Sequence, residues 1–315
     1  MRPELTQATD LLRRNTPEAV EEAIGLLQNT VYSFSMKVCG HPEDAEDTTQ
    51  EVLFRSLGHL SKIQDPRALA VWLYTVTRNR CWRMRRKAVN APQRTLSLDE
   101  LAPDNAELDR LLRDTAASPE GALLHAEQSH LLHRAVLQIP ASLRMVLVLH
   151  DMEELSTDEV ATVLELQPGT VRVRLHRARL SLRKEMAHIL DAHQEAHAQA
   201  APAPRPQTSA RGKKPASGRA KASRRPAECR ELFANLSEYL DGRVQTPTCD
   251  QMRAHIDACP ACVAFLRELR KAIERCRSLE MPCDPAIASR LRSLATQEYL
   301  RMIENGDRKK IAAQM

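Results

Sequence analysis

Apolar residues recur at every third or fourth position through most of the chain, a spacing typical of amphipathic helices. Alternating and β-branched runs are short, and aromatic residues make up only 3% of the composition. This pattern predicts an all-α fold. Three stripes of inward-facing positions stand out: Ala45, Thr49, Val52, Leu53 and Leu57; Leu69, Trp72, Leu73, Val76 and Cys81; and Val171, Leu175, Ala178 and Leu182.

The polar positions divide the chain into segments. We expect small helical domains at 1–88, 123–195 and 228–315, joined by linkers at 89–122 and 196–227. The first linker has seven acidic residues between positions 99 and 120. The second has five Pro, seven Ala and eight Lys or Arg in 201–227 and no acidic residue. Such a composition cannot bury a core, so it predicts a disordered tether spanning roughly 30 Å.

A basic run closes the first domain. Its cations, with no carboxylate among them, are Arg78, Arg80, Arg83, Arg85, Arg86 and Lys87. Several cations at one helix end suit a phosphate backbone, and Tyr74 and Trp82 offer rings for base stacking. A solvated helix face with aromatic residues in the core explains the same run equally well.

An acidic helix is predicted to begin at Pro42, just upstream. Its apolar stripe faces inward and leaves Asp44, Asp47, Gln50 and Glu51 outside. These side chains either balance the neighbouring basic helix or form a docking surface for a basic partner.

A helix-turn-helix pattern occupies the second domain. Ser156 and Glu159 form a capping box that begins a short helix at about Thr157, and Pro168 and Gly169 open a long basic helix. In this motif the N-terminal part of the second helix enters the major groove. The side chains expected to face DNA are Thr170, Arg172, Arg174, His176, Arg177 and Arg179.

The C-terminal segment HIDACPAC, 255–262, predicts a metal site. His255 and Cys259 lie at i and i+4, hence on one face if the segment is helical, and Cys262 follows Pro260. A tetrahedral zinc site needs a fourth ligand, for which Cys229 and Cys249 are the candidates. A redox pair at CPAC is the competing interpretation, although no strand precedes it. A purely structural zinc would also suit a domain with little core.

Several classes of protein are disfavoured. No stretch approaches eighteen apolar residues, and the first ten residues lack a signal-peptide core, so we expect a cytoplasmic chain that does not enter a membrane. Eight cysteines there are more typical of thiols or metal ligands than of disulfides. No positioned acid–base pair or open catalytic metal site is visible, and we expect no enzyme.

Three motifs resemble regions 2 and 4 of extracytoplasmic-function sigma factors of bacterial RNA polymerase. They are DAEDTTQEVLFR at 44–55, AVWLYTVTRNR at 70–80 and EVATVLELQPGTVRVRLHRAR at 159–179. Their order and spacing cover about 18–187. Thr157 and Val173 depart from residues common in the family, so promoter preference cannot be transferred from relatives.

The resemblance implies functions for the predicted surfaces. Asp44, Asp47, Gln50 and neighbours such as Glu51 would dock on the clamp helices of the polymerase β′ subunit. The minus-35 element would be read by 170–179, and the acidic linker would thread the nucleic-acid channel, although an ordinary solvated linker is nearly as good an interpretation. The minus-10 element would be captured and opened by the loop 61–67 and the helix after it, through Lys62, Arg67, Arg78, Asn79, Arg83 and Arg86.

The segments CRELFANLSEYLDG at 229–242 and HIDACPACVAFL at 255–266 resemble a zinc-binding anti-sigma domain. That resemblance favours Cys229 as fourth ligand of one zinc ion and implies that the later helices cover the sigma regions. We therefore expect a sigma factor regulated in cis by its own C-terminal domain. Two alternatives stay open: a helix-turn-helix regulator that never meets polymerase, and a sigma factor whose tail is only a structural or interaction module.

Overall fold

The computed structural model describes residues 2–14, 16–60, 63–86, 101, 124–200, 236, 239–242, 253–254 and 259–312. Within these residues every regular element is helical, which confirms the all-α prediction. The helices of the N-terminal unit are α1 Pro3–Arg14, α2 Pro17–Cys39, α3 Pro42–Leu60 and α4 Pro66–Arg86. Each begins at a proline, whose missing N–H is not needed in a first helical turn.

The C-terminal end of α2 makes a tight turn into α3. Gly40 caps α2 with φ +82°, the left-handed conformation that glycine adopts at little cost. The predicted stripe of α3 is confirmed, since all five of its residues are buried. On α4, Leu69, Leu73 and Cys81 are buried, and Trp72 and Val76 pack against the same core.

The second unit contains α5 Leu124–Gln138, α6 Ala141–Leu147, a π-helical segment Val148–Met152, α7 Thr157–Leu164 and α8 Pro168–Ala200. Ser156 accepts from the Glu159 N–H at 3.2 Å, and the Glu159 carboxylate accepts from the Ser156 N–H at 2.7 Å. The capping box and the predicted start of α8 are thus confirmed. Glu165 ends α7 with φ +56° and forms the turn between the two helices.

Two long helices make up most of the described part of the C-terminal segment. They are α9 Pro260–Arg277 and α10 Pro285–Ala312, and each starts at a proline. Helix α9 packs against α8 and the π-helical segment, whereas α10 packs against α2 and α3. The C-terminal segment therefore contacts both earlier units.

A single apolar core joins the three parts of the chain. It includes Phe34 and Tyr74 from the first unit, Leu149 from the second, and Cys276 and Tyr299 from α9 and α10. A smaller cluster joins Leu101, in the acidic linker, to Leu180 of α8 and Phe265 of α9. Among the described helices none is both long and apolar enough to cross a membrane.

Candidate nucleic-acid interface and metal centre

The acidic face of α3 is accessible. Asp47 and Gln50 are exposed, and Asp44 and Glu51 are half-buried. Glu51 pairs with Arg55 at 2.7 Å and with Arg80 at 2.8 Å, so the acidic and basic helices also balance each other's charge. Helix α10 lies alongside, and its Arg290 pairs with Glu46, next to Asp47.

The basic residues of α4 divide into exposed and covered groups. Arg67 and Asn79 are exposed, but the Arg78 side chain is only 13% exposed because it pairs with Glu165 of the second unit at 2.6 Å. Arg83 and Arg86 lie in the last turns of α4, where the structure describes the backbone only, and Lys62 lies outside the described residues.

The two aromatic rings near this run lie in different environments. Trp82 is 41% exposed, as base stacking requires. Tyr74 is fully buried with its ring 5.0 Å from that of Phe34, so the suggestion that it stacks on a base is wrong for this conformation. The i, i+4 pattern could not separate the two rings because both fall near the edge of the apolar stripe.

Helix α8 presents a smaller polar face than expected. Its inward positions are confirmed, with Val171, Leu175, Ala178 and Leu182 all buried. Thr170 and Arg172 are exposed, and Arg174 and Arg177 are half-buried. His176 and Arg179 are corrected: they are 7% and 1% exposed rather than open to solvent, and Arg179 pairs with Asp151 of the π-helical segment and with Asp241 of the C-terminal segment.

Two carboxylates hold Arg179. Its Nε and Nη2 atoms donate to the two oxygens of Asp151 at 2.8 and 2.7 Å, and its Nη1 and Nη2 atoms donate to Asp241 at 3.1 and 2.8 Å. Burial alone raises the pKa of Asp151, but the hydrogen bonds from Arg179 and His150 outweigh it and lower the pKa to about 2. Burial, together with Arg179 and Arg177, lowers the pKa of His176 to about 4.

One helical turn beyond Arg179, α8 contacts α9. Arg183 lies 3.4 Å from Glu268, and its guanidinium carbon is 4.9 Å from the centre of the Phe265 ring. This cation–π geometry adds to the ion pair. Sequence reasoning missed Asp241, Glu268 and Phe265, because nothing in their local pattern indicates a partner 62 to 85 positions away.

The described part of the predicted metal site fits thiolate ligands. Cys259 is the N-cap of α9 and its own backbone is extended, whereas the i, i+4 pattern assumed a helical residue at this position. Cys262 follows within the first turn and is 7% exposed. The positive end of a helix dipole favours thiolates. Cys229, Cys249 and His255 lie outside the described residues, and the residues that the structure does describe place no third ligand beside this pair.

Comparison with known proteins identifies three regions. Residues 24–90 match sigma-70 region 2, residues 129–182 match sigma-70 region 4, and residues 229–262 match the family described as "Putative zinc-finger". The sigma regions contain the acidic helix and the helix-turn-helix, and the third match ends at Cys262. No two of these matches overlap.

Two bacterial sigma factors are similar to this chain over more than half of its length. The ECF RNA polymerase sigma factor SigW of Bacillus subtilis is 26% identical over 179 residues, which are 56% of this chain and 94% of that protein. The RNA polymerase sigma-H factor of Pseudomonas aeruginosa is 28% identical over 186 residues, 58% of this chain and 94% of that protein. The solved complex of the sigma factor RpoE with the anti-sigma factor NepR from Bartonella quintana aligns with a TM-score of 0.36 and 18% identity, over 51% of this chain and 92% of that chain.

The two alignments cover nearly all of each relative but only 56% and 58% of this chain. The acidic helix lies in the match to sigma-70 region 2 and the helix-turn-helix in the match to sigma-70 region 4, so the chain contains these two sigma regions followed by a C-terminal zinc-finger region, and it is similar to bacterial RNA polymerase sigma factors, SigW of the extracytoplasmic-function type among them.

Proposed function

We propose that this sigma factor directs core RNA polymerase to promoters and is held inactive by its own C-terminal region. The packing of α9 and α10 carries the proposal, because α9 contacts region 4 while α10 contacts region 2. A segment that binds both regions at once favours the conformation in which they are close together. The proposal assigns the chain to the cytoplasm, where polymerase is found, and gives it no catalytic reaction of its own.

The acidic face of α3 is the proposed polymerase-binding surface. Asp44, Asp47, Gln50 and Glu51 would contact the clamp helices of the β′ subunit. Helix α10 crosses next to them, and Arg290 neutralises Glu46 in the same row of carboxylates. Docked in this way, α10 reduces both the access and the negative charge that a basic partner would meet.

Promoter DNA would contact two surfaces. The loop before α4 and the helix itself would bind the minus-10 element through Lys62, Arg67, Arg78, Asn79, Arg83 and Arg86. The exposed start of α8 would bind the minus-35 element through Thr170, Arg172, Arg174 and Arg177, where one bidentate Arg–guanine contact contributes about 1–3 kcal/mol of discrimination. His176 and Arg179 would contact DNA only after leaving their buried positions.

Zinc would hold the C-terminal domain together. We propose one ion bound by Cys229, His255, Cys259 and Cys262, with Cys249 as the substitute for Cys229. Metal binding would fix the start of α9 and thereby the direction from which it reaches α8. The domain bounds 1–88, 123–195 and 228–315, with linkers at 89–122 and 196–227, belong to the same proposal.

Because the C-terminal region is covalently attached, dilution of the protein would not release the inhibition. A flexible tether of this length gives the docked segment an effective concentration on the order of millimolar. The control therefore does not depend on how much of the protein a cell contains.

Cutting the tether tests this proposal on a chain that has already folded. A specific protease site placed in 201–227 allows cleavage followed by dilution. In transcription with purified core polymerase, the cut and diluted protein should gain promoter-specific activity, while the uncut protein stays inactive at every dilution. Cut protein kept concentrated is the control and should remain inactive. Equal activity before and after cutting and dilution would instead favour a purely structural or interaction module.

A further inference from the structure

Glu153 is a buried carboxylate at the contact between the two sigma regions. It follows the π-helical segment of region 4 and is 1% exposed. Its oxygens accept from the Lys37 ammonium at 2.9 Å and from the Tyr74 hydroxyl at 2.7 Å, and Arg2 Nε lies 2.7 Å away. All three partners come from the N-terminal unit. Lys37 and Tyr74 are both fully buried, and only the Arg2 side chain, 16% exposed, connects this charge cluster with solvent.

The end of α2 is bound by region 4 through further specific contacts. Arg144 of α6 donates to the Val38 carbonyl at 2.6 Å, and the His133 ring lies 3.0 Å from the Met36 carbonyl. A Cβ added to Gly40 would lie 2.7 Å from a methyl group of Leu137 on α5. The end of α2 therefore packs closely against α5 and α6, with polar groups paired across the contact.

We infer that regions 2 and 4 carry a specific interaction surface for each other, centred on Glu153, and that this surface competes with promoter binding. The inference rests on the proposed function insofar as the closed chain is its inactive form. It goes further in placing the specific contact within the sigma regions themselves. The C-terminal segment then stabilises an interface that regions 2 and 4 form with each other.

The closed arrangement is incompatible with binding both promoter elements. The minus-10 and minus-35 elements are separated by about 25 base pairs, which is about 85 Å at the rise of B-form DNA. Regions that contact each other directly cannot reach both. The interface also covers one predicted DNA contact, since Arg78 pairs with Glu165 in the turn of the helix-turn-helix.

Helix α9 strengthens the cluster by excluding water. Cys276 is fully buried, and its neighbourhood includes both Lys37 and Asp151. Ala272 and Leu279 belong to the same apolar core. Charge pairs are stronger where water is excluded, so removal of α9 would weaken the attraction between Glu153 and Lys37 without removing either group.

Substitution of Glu153 should act selectively on the closed form. In the open chain Glu153 and Lys37 would be on separate regions and hydrated. In the closed chain, replacing the carboxylate leaves the Lys37 ammonium buried without its counter-charge, which is far more costly than losing an exposed pair. The substitution therefore destabilises the closed form relative to the open form and shifts the equilibrium toward the open form.

The test uses the full-length chain with fluorophores attached through unnatural amino acids at the exposed positions 21 in α2 and 158 in α7. Glu153→Gln should raise the population with a long inter-fluorophore distance by about one to two orders of magnitude. Affinity for a promoter duplex containing both elements should rise with it. Lys37→Met should act in the same direction, and the double variant should show less than the product of the two effects.

Asp10→Asn is the matched control, because Asp10 pairs with Arg13 within α1 and both side chains are about half exposed. It should leave the distances unchanged. Helix content measured by circular dichroism checks folding. If Glu153→Gln unfolds, Tyr74→Phe removes one hydrogen bond to the same carboxylate and should still enlarge the open population several-fold.

An unchanged distance distribution in a folded Glu153→Gln chain, or in Tyr74→Phe where that variant is needed, overturns the inference. The outcome is separable from that of the tether experiment. Activation on cutting with no effect of the Glu153 substitution would leave tail inhibition standing and reject the direct interface. The opposite result would keep the interface and reject inhibition by the tail.

Discussion

Arg179 of α8 and Asp241 of the C-terminal segment form a two-pronged ion pair, with Nη1–Oδ2 and Nη2–Oδ1 distances of 3.1 and 2.8 Å. An arginine predicted to contact DNA is therefore held by a carboxylate of the same chain. Asp151 holds the guanidinium from the other side, so Arg179 has a structural role within region 4 that Asp241 extends to the tail. A guanidinium group can donate two parallel hydrogen bonds to a carboxylate in the same way as to a phosphate.

Asp241→Asn should weaken docking of the tail on region 4. The substitution keeps the shape of the side chain and removes its charge. Because Arg179 is 1% exposed and Asp241 is 19% exposed, we expect the free energy of docking to weaken by about 1–3 kcal/mol. The measurement is the dissociation constant of the tail from the sigma regions after cleavage of the tether. Glu298→Gln, whose carboxylate pairs with Arg301 within α10, is the control and should not change that constant. Equal constants for the wild type and Asp241→Asn would contradict the prediction.

His176 should make the folded chain less stable in mild acid. Its pKa is about 4 when folded, below the ordinary value of 6.5, so the unfolded chain binds a proton in this range and the folded chain does not. Stability is therefore lost as the pH falls from about 6.5 to 4, by about 2 kcal/mol near pH 5. Burial also lowers the pKa of His133, which adds to the same trend.

Urea unfolding followed between pH 7 and 5 measures this effect. His176→Gln should flatten the dependence of the unfolding free energy on pH. His188→Gln, at an exposed position on the same helix, should leave that slope as in the wild type. A steep slope that persists in the His176 variant would show that another group is responsible.

Gly40→Ala should destabilise the contact between regions 2 and 4. At φ +82° an alanine is strained by about 1 kcal/mol or more, and its Cβ would lie 2.7 Å from the Leu137 side chain. Thermal unfolding should show the loss. Gly169→Ala is the matched control, since a Cβ there meets nothing within 4 Å and the position is helical, so stability should be unchanged or slightly increased. Equal melting temperatures for the two variants would contradict the expected strain.

Zinc content should identify the fourth ligand. Cys259→Ser and Cys262→Ser should each reduce bound zinc, measured by atomic absorption, from about one ion per chain to a small fraction. Of Cys229→Ser and Cys249→Ser, we expect the first to behave like these and the second to retain zinc. Cys283→Ser is the control, because Cys283 lies between α9 and α10 and packs against a cluster of α2 and α3 residues. Full zinc content in Cys229→Ser with loss in Cys249→Ser would reverse the assignment.

Helix boundaries were predictable from local chemistry. Pro42, Pro168 and Pro260 begin helices because a first turn does not need their missing N–H, and Ser156 with Glu159 caps α7 through groups three positions apart. The apolar stripes were predictable for the same reason. A periodicity of three to four positions is a property of one helix and requires no knowledge of its neighbours.

Amino-acid sequence alone determined the helices, their inward faces and the order of the sigma regions and the zinc-finger region. Tertiary structure decided which charged side chains are buried. Periodicity assigned Arg179 and His176 to the outer face of α8 and gave no reason to bury Lys37 or Glu153, because a charged residue is buried only where a partner reaches it. Lys37 meets Glu153 across 116 positions and Arg179 meets Asp241 across 62, and only the docking of one region on another brings such pairs together.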